Sequence, residues 1–128
     1  MPPRLTMSLR LTMSLALLLA AGARDCLAEG DPARGQEIYA SRCIACHSAE
    51  ANRVGPRHRG VVGREAGSLA DYAYSKALKA AGFTWTAERL DRWLADPQAL
   101  VPGQKMNVKV ADPQARADLI AYLETLTR

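Results

Sequence analysis

Cys43, Cys46 and His47 stand in the run Cys43-Ile44-Ala45-Cys46-His47, two thiols one helical turn apart with an imidazole on the next residue. That spacing is the attachment signature of a c-type haem. The thiols can add to the two vinyl groups of the porphyrin. The imidazole then lies under the ring, within reach of the iron. Two other chemistries fit less well. A thioredoxin-like dithiol wants a βαβ pattern around the pair, and none is visible. A structural zinc site wants four ligands, and the chain offers only Cys26 and His58 besides these three.

The first residues of the chain read as an export signal. Met1–Arg10 carries Arg4 and Arg10, Leu11–Ala23 is apolar, and Cys26-Leu27-Ala28 makes a small-x-Ala cleavage site. The apolar run is too short for a membrane-spanning helix. We expect a signal peptide over 1–28 and one domain over 29–128. Cleavage after Ala28 is favoured over cleavage after Ala23, because it removes the odd thiol of Cys26. Export to the periplasm agrees with covalent haem attachment, which in bacteria takes place outside the inner membrane. Loss of Arg4, Arg10, Arg24 and Asp25 lowers the formal net charge of +4 by two. The remaining balance excludes a strong nucleic-acid-binding field. A chain of this length builds only a modest core unaided, so a haem would be structural as well as functional.

With Met1, Met7 and Met13 gone, Met106 is the one methionine left. It lies in the irregular segment Val101-Pro102-Gly103-Gln104-Lys105-Met106, from which a thioether can swing to the face opposite His47. Most methionines merely fill core gaps, but behind a haem-attachment motif we expect Met106 to be the second iron ligand. His58 is the rival, flanked by Arg57 and Arg59 in a manner that suits a partly exposed polar residue. Lys105 competes only at high pH, once its amine can lose a proton. A His47/Met106 pair would favour ferrous iron and leave no open coordination position. Such a site passes electrons and does no bond chemistry, so we expect an electron-transfer protein and not an enzyme.

The elements that must hold these residues are helical. Asp31-Pro32 caps and starts a first helix that delivers the haem motif at its C-terminal end. Arg53–Leu69 has no period and is rich in Gly and Arg, a long loop of the kind that is usually functional. A short helix is expected over Ser75–Ala81, stopped by Gly82. Thr86 caps another, with Leu90, Trp93 and Leu94 on its apolar face and an end at Asp96-Pro97. Asp112-Pro113 starts the last, whose buried stripe is Leu119, Ile120, Leu123 and Leu126, with Tyr122 beside it.

These residues together resemble class I cytochrome c, of the soluble bacterial and mitochondrial monohaem kind, over essentially all of 29–128. Beyond the haem motif, the resemblance is carried by Val54-Gly55-Pro56, Gly60-Val61-Val62-Gly63-Arg64, Gly82-Phe83-Thr84-Trp85, Pro102-Gly103-Gln104-Lys105-Met106 and Asp118-Leu119-Ile120-Ala121-Tyr122-Leu123. It implies an all-α fold of four to five helices around one haem held through Cys43 and Cys46. It further implies that the Pro56 carbonyl accepts the outer N–H of His47, a bond that orients the imidazole. Arg64, Tyr74 and Trp85 would surround the haem propionates. Gly35 and Tyr39 would pack against Leu119 and Tyr122.

Three departures stand out. His58 sits where the family commonly has an apolar residue against the haem. Trp93 replaces a tyrosine that often contacts the methionine ligand, and the loop between His47 and Pro56 is short. Arg42, Arg53, Arg57, Arg59, Lys105 and Lys109 suggest transient docking of a monomer to acidic patches on redox partners. The leading expectation is a periplasmic carrier between respiratory or dehydrogenase donors and a terminal acceptor. A dedicated cytochrome subunit of one periplasmic dehydrogenase is the alternative. A ligand-binding or peroxidatic haem protein comes last, since Met106 would close the open site it requires.

Overall fold

The computed structural model describes residues 29–127; the expected signal peptide lies outside them. Five helices follow one another: α1 (Pro32–Arg42), α2 (Lys76–Lys79), α3 (Ala87–Ala95), α4 (Pro97–Leu100) and α5 (Pro113–Thr125). Each starts at a side chain that satisfies otherwise orphaned N–H groups. Asp31 accepts from Ala33 and Arg34, Ser75 from Leu78, Thr86 from Arg89, Asp96 from Ala99 and Asp112 from Gln114. The sequence marks Asp96-Pro97 as a stop. It is also a start, because the same carboxylate and proline that end α3 cap the single turn of α4.

The frame is the crossing of α1 over α5. Gly35 makes it possible: a Cβ there would lie 1.9 Å from the carbonyl oxygen of Asp118. Below the crossing, Tyr39 and Tyr122 meet with ring centroids 5.2 Å apart, and Leu119 is fully buried. The stripe expected on the last helix is the stripe observed, with Leu119, Ile120, Leu123 and Leu126 all in the core. α3 buries Leu90, Trp93 and Leu94, the apolar face expected of it, and packs on α5. Asp118, almost wholly buried, ties the ends together. Its carboxylate accepts from the Asp31 backbone at 2.8 Å, from Arg34 Nε at 2.9 Å and from Gln114 Nε2 at 3.1 Å.

The long segment between α1 and α2 contains no helix and is held by backbone bonds to its neighbours. Gly55 N–H donates to the Cys46 carbonyl, His58 N–H to Ser48 and Arg59 N–H to Ala49. Further on, an isolated antiparallel bridge joins Glu65 to Thr84, flanked by Trp85 N–H to Arg64 O and Ala66 N–H to Phe83 O. These contacts bring Arg64 and Trp85 to the same wall. Among the described residues, no helix is long and apolar enough to cross a membrane.

Candidate functional site

α1 ends at Arg42 with Cys43 as its C-cap, and the chain then turns tightly. Cys46 and His47 N–H groups both donate to the Cys43 carbonyl, at 3.1 and 2.9 Å. The two thiols and the imidazole are thereby carried on one turn beside a cavity of about 470 Å³. Its lining includes core side chains, among them Val61, Leu90, Leu94, Val110 and Leu119. Cys43, Cys46, His47, Arg64, Tyr74, Trp85 and Met106, residues singled out in the sequence, all line this one cavity. A single mostly apolar pocket with a few convergent polar groups is the form of a cofactor site.

The His47 ring is held tightly. Its Nδ1 lies 2.8 Å from the Pro56 carbonyl, so that nitrogen carries the proton and Nε2 is free to act as a donor of electrons. The backbone at Gly55 comes so close that a Cβ would lie 2.1 Å from the ring. Burial pushes the His47 pKa down, opposed by the bond to Pro56. The neutral imidazole is the form that binds a metal. Burial also raises the Cys43 thiol.

His58 does not sit where a rival ligand on the far face would. Its ring stacks on His47, with centroids 4.1 Å apart and planes 20° from parallel. Its Nδ1 lies 2.9 Å from the Tyr39 hydroxyl. Desolvation, then the proximity of His47 and Arg64, push its pKa down to about 3, so this ring is neutral. His58 is half-buried, as its arginine neighbours suggest, and forms part of the pocket wall.

On the other walls, the Arg64 guanidinium donates to the Arg57 carbonyl at 2.8 Å and the Arg59 carbonyl at 3.3 Å. Trp85 stands edge-on to Phe83 and Trp93, at 5.0 and 5.2 Å between centroids. Burial raises the Tyr74 phenol. Tyr74 packs edge-on against Tyr72, a residue that the sequence did not single out. Tyr72 lines the cavity and donates to the Val54 carbonyl at 2.6 Å. Gln104 was also missed; its side chain brackets the backbone of Met106. Gln104 lies inside a quoted motif and Tyr72 outside all of them; in both cases only the folded contact reveals the use.

A model of the family described as cytochrome c matches residues 32–127. The chain belongs to the cytochrome c family. It is 46% identical over 100 residues to cytochrome c2 of Rhodopila globiformis, covering 76% of this chain and 94% of that protein. Among solved structures it is similar to cytochrome cH from Methylobacterium extorquens, 51% identical with a TM-score of 0.71, over 75% of this chain and 99% of the other. Cytochrome c2 from Rhodospirillum centenum superposes with a TM-score of 0.72 at 34% identity, over 77% and 100%. The all-α fold expected from the resemblance is the fold observed.

As a class I monohaem cytochrome c, the protein carries one covalently bound c-type haem and transfers electrons without acting as an enzyme. Cys43 and Cys46 occupy the attachment position. The pocket fits such a group on its own evidence: thiols at the edge, a neutral imidazole and a thioether on the walls, aliphatic side chains behind, and Arg64 and the two tyrosines beside them.

The cationic residues divide into two sets. Arg57 pairs with Asp71 at 2.7 Å, Arg59 pairs with Glu50, and Lys109 pairs with Asp96 at 2.8 Å. Among the described residues, Arg42, Arg53 and Lys105 meet no carboxylate within ion-pair distance. Arg42 and Lys105 line the cavity, together with the exposed apolar side chains of Val54 and Val108.

Proposed function

We propose that this cytochrome c is a periplasmic carrier, exported by a signal peptide over 1–28 and cycling between ferrous and ferric states while it diffuses between redox partners. The haem supplies the redox centre when bound through Cys43 and Cys46; the chain's own residues set its surroundings. His47 and Met106 would hold its iron. Pro56 fixes the tautomer and orientation of His47, leaving Nε2 as the coordinating nitrogen. Arg64, Tyr74 and Trp85 stabilise the propionates, whose burial requires hydrogen-bond donors.

The observation that carries this reading is that His47 and Met106 border the same cavity as the two thiols. With both iron positions taken by protein, the group would pass electrons and would offer oxygen no vacant site. A soft thioether raises the potential towards the range of a respiratory carrier. The apolar and cationic rim formed by Val54, Val108, Arg42 and Lys105 suits a small, transient, salt-sensitive contact.

The optical spectrum of the haem-loaded protein tests the ligand set. A low-spin ferrous c-type spectrum, together with a weak far-red ferric band from the sulfur–iron bond, is expected. That band should vanish in Met106→Ala. A high-spin ferric spectrum that responds at once to cyanide would overturn the carrier reading. The mass of the protein recovered from the periplasm checks the second part, which expects a chain beginning at Glu29.

A further inference from the structure

His58 stacks face to face on His47, and nothing in the electron-carrier reading uses it. Its ring is held independently of His47. The Tyr39 hydroxyl lies 2.9 Å from its Nδ1, and its backbone N–H donates to the Ser48 carbonyl at 3.0 Å. Tyr39 is itself immobilised, 5% exposed and tilted against Tyr122 on α5. A connected set of rings therefore runs from the α1–α5 crossing, through Tyr39 and His58, to His47.

We propose that His58 is a positioning residue for His47: the Tyr39–His58 pair fixes the plane of the His47 ring and tunes the potential of the site. This rests on the ligand reading above. An aliphatic residue of similar volume could fill the same space. It could neither stack on an imidazole nor bond to Tyr39. The Pro56 bond anchors His47 at one atom and leaves rotation about that axis to be resisted by packing. A flat ring 4.1 Å away, itself tethered, resists it. A stacked neutral imidazole is also more polar and polarisable than an alkyl group. It favours the more positively charged ferric site over the ferrous one. Both effects depend on the tether, because a freely rotating His58 would hold neither orientation nor dipole.

The test uses the haem-loaded protein and three variants: His58→Leu, Tyr39→Phe and the double substitution. Two readouts are taken. The hyperfine-shifted haem methyl resonances of the ferric protein report the plane of the axial imidazole, and spectroelectrochemistry gives the midpoint potential. His58→Leu should change the spacing of the methyl resonances and raise the potential. Tyr39→Phe should move both in the same direction by less, and should add nothing once His58 is leucine, as expected for residues that act as a unit.

Wild-type methyl shifts and potential in His58→Leu would overturn the proposal and leave His58 as core filling. Additive effects of the two substitutions would overturn the coupling through Tyr39. Should His58→Leu fail to load haem, His58→Phe keeps the stack and loses the bond. It should then match Tyr39→Phe, and wild-type values in both would overturn the proposal. A wild-type protein without low-spin His/Met spectra would sink the ligand reading instead, before any variant is compared.

Discussion

The side chain of Gln104 grips the backbone of Met106 from both sides: Nε2 donates to the Met106 carbonyl at 2.7 Å, and the Met106 N–H donates to Oε1. Nε2 also approaches Gln98 Oε1 at 3.2 Å. Gln104 is buried, and the segment it holds has no helix to fix it. Replacing it with alanine leaves a backbone N–H and a carbonyl without these partners, a cost of about 1–3 kcal/mol. Much of that cost should appear as a looser Met106. In ferric Gln104→Ala we expect added imidazole to displace the thioether at lower concentration than in the wild type. An absorbance titration checks this, and equal affinities would show that Met106 is held by something else.

Gly35→Ala tests the α1–α5 crossing, and its sign is informative. In an open helix interior, alanine is favoured over glycine by roughly 0.5–1 kcal/mol. Here the added Cβ would lie 1.9 Å from the Asp118 carbonyl oxygen and 2.8 Å from Tyr122 Cβ. The obstacle at Asp118 is backbone, so the helices themselves must separate, at about 1–3 kcal/mol or more. Thermal unfolding of the haem-loaded protein should show a fall in Tm of roughly 5 °C or more. A Tm at or above that of the wild type would mean that the crossing has slack.

What the sequence disclosed and what it did not follow from the range of the forces involved. Asp31, Thr86 and Asp112 announced their helices because a cap bonds within its own turn. The stripe Leu119, Ile120, Leu123 and Leu126 was legible because burial repeats with the helical period. The motif residues of the pocket were found because their spacing is local, and the resemblance supplied the order of the rest. The resemblance puts His58 against the haem site, but its bonds are not legible, because its partners, Tyr39 and His47, are reached through folding and not through its arginine neighbours. The same holds for Arg57 and Arg59, whose carboxylate partners lie on segments without any period. The turn of α4 is not legible in the sequence, because Asp96-Pro97 equally marks the end of the helix before it.

Acid stability should be set in part by Asp118. The bond from Arg34, then that from the Asp31 backbone, hold its carboxyl well below the ordinary aspartate value of 3.8, at about 2. A depressed folded-state pKa means that the unfolded chain takes up the proton first as pH falls. The stabilisation from this group is therefore complete above its unfolded pKa and is lost as pH drops towards about 2. Urea unfolding from about pH 6 to about pH 2 should show a midpoint that declines over the lower part of this range. Asp118→Asn should start lower and decline less. Parallel curves for the two proteins would exclude Asp118 as the source of the slope.

The division of the cations gives a prediction that does not require the natural partner. An ion pair contributes little net field, so deleting both of its members should change nothing at a distance; deleting an unpaired cation removes its whole charge. Ferricyanide, a small anion, reports the field around the haem edge through its rate of oxidising the ferrous protein. Arg42→Gln, Arg53→Gln and Lys105→Gln combined should slow that reaction on the order of tenfold at low ionic strength. The difference should shrink as salt screens it. Arg57→Ala with Asp71→Ala, which removes the pair at 2.7 Å, should leave the rate close to that of the wild type. Stopped-flow measurement at two ionic strengths separates the cases. If the pair deletion slows the reaction as much as the triple substitution does, the approach is governed by the Arg57 face, and the rim of Arg42 and Lys105 is not the docking surface.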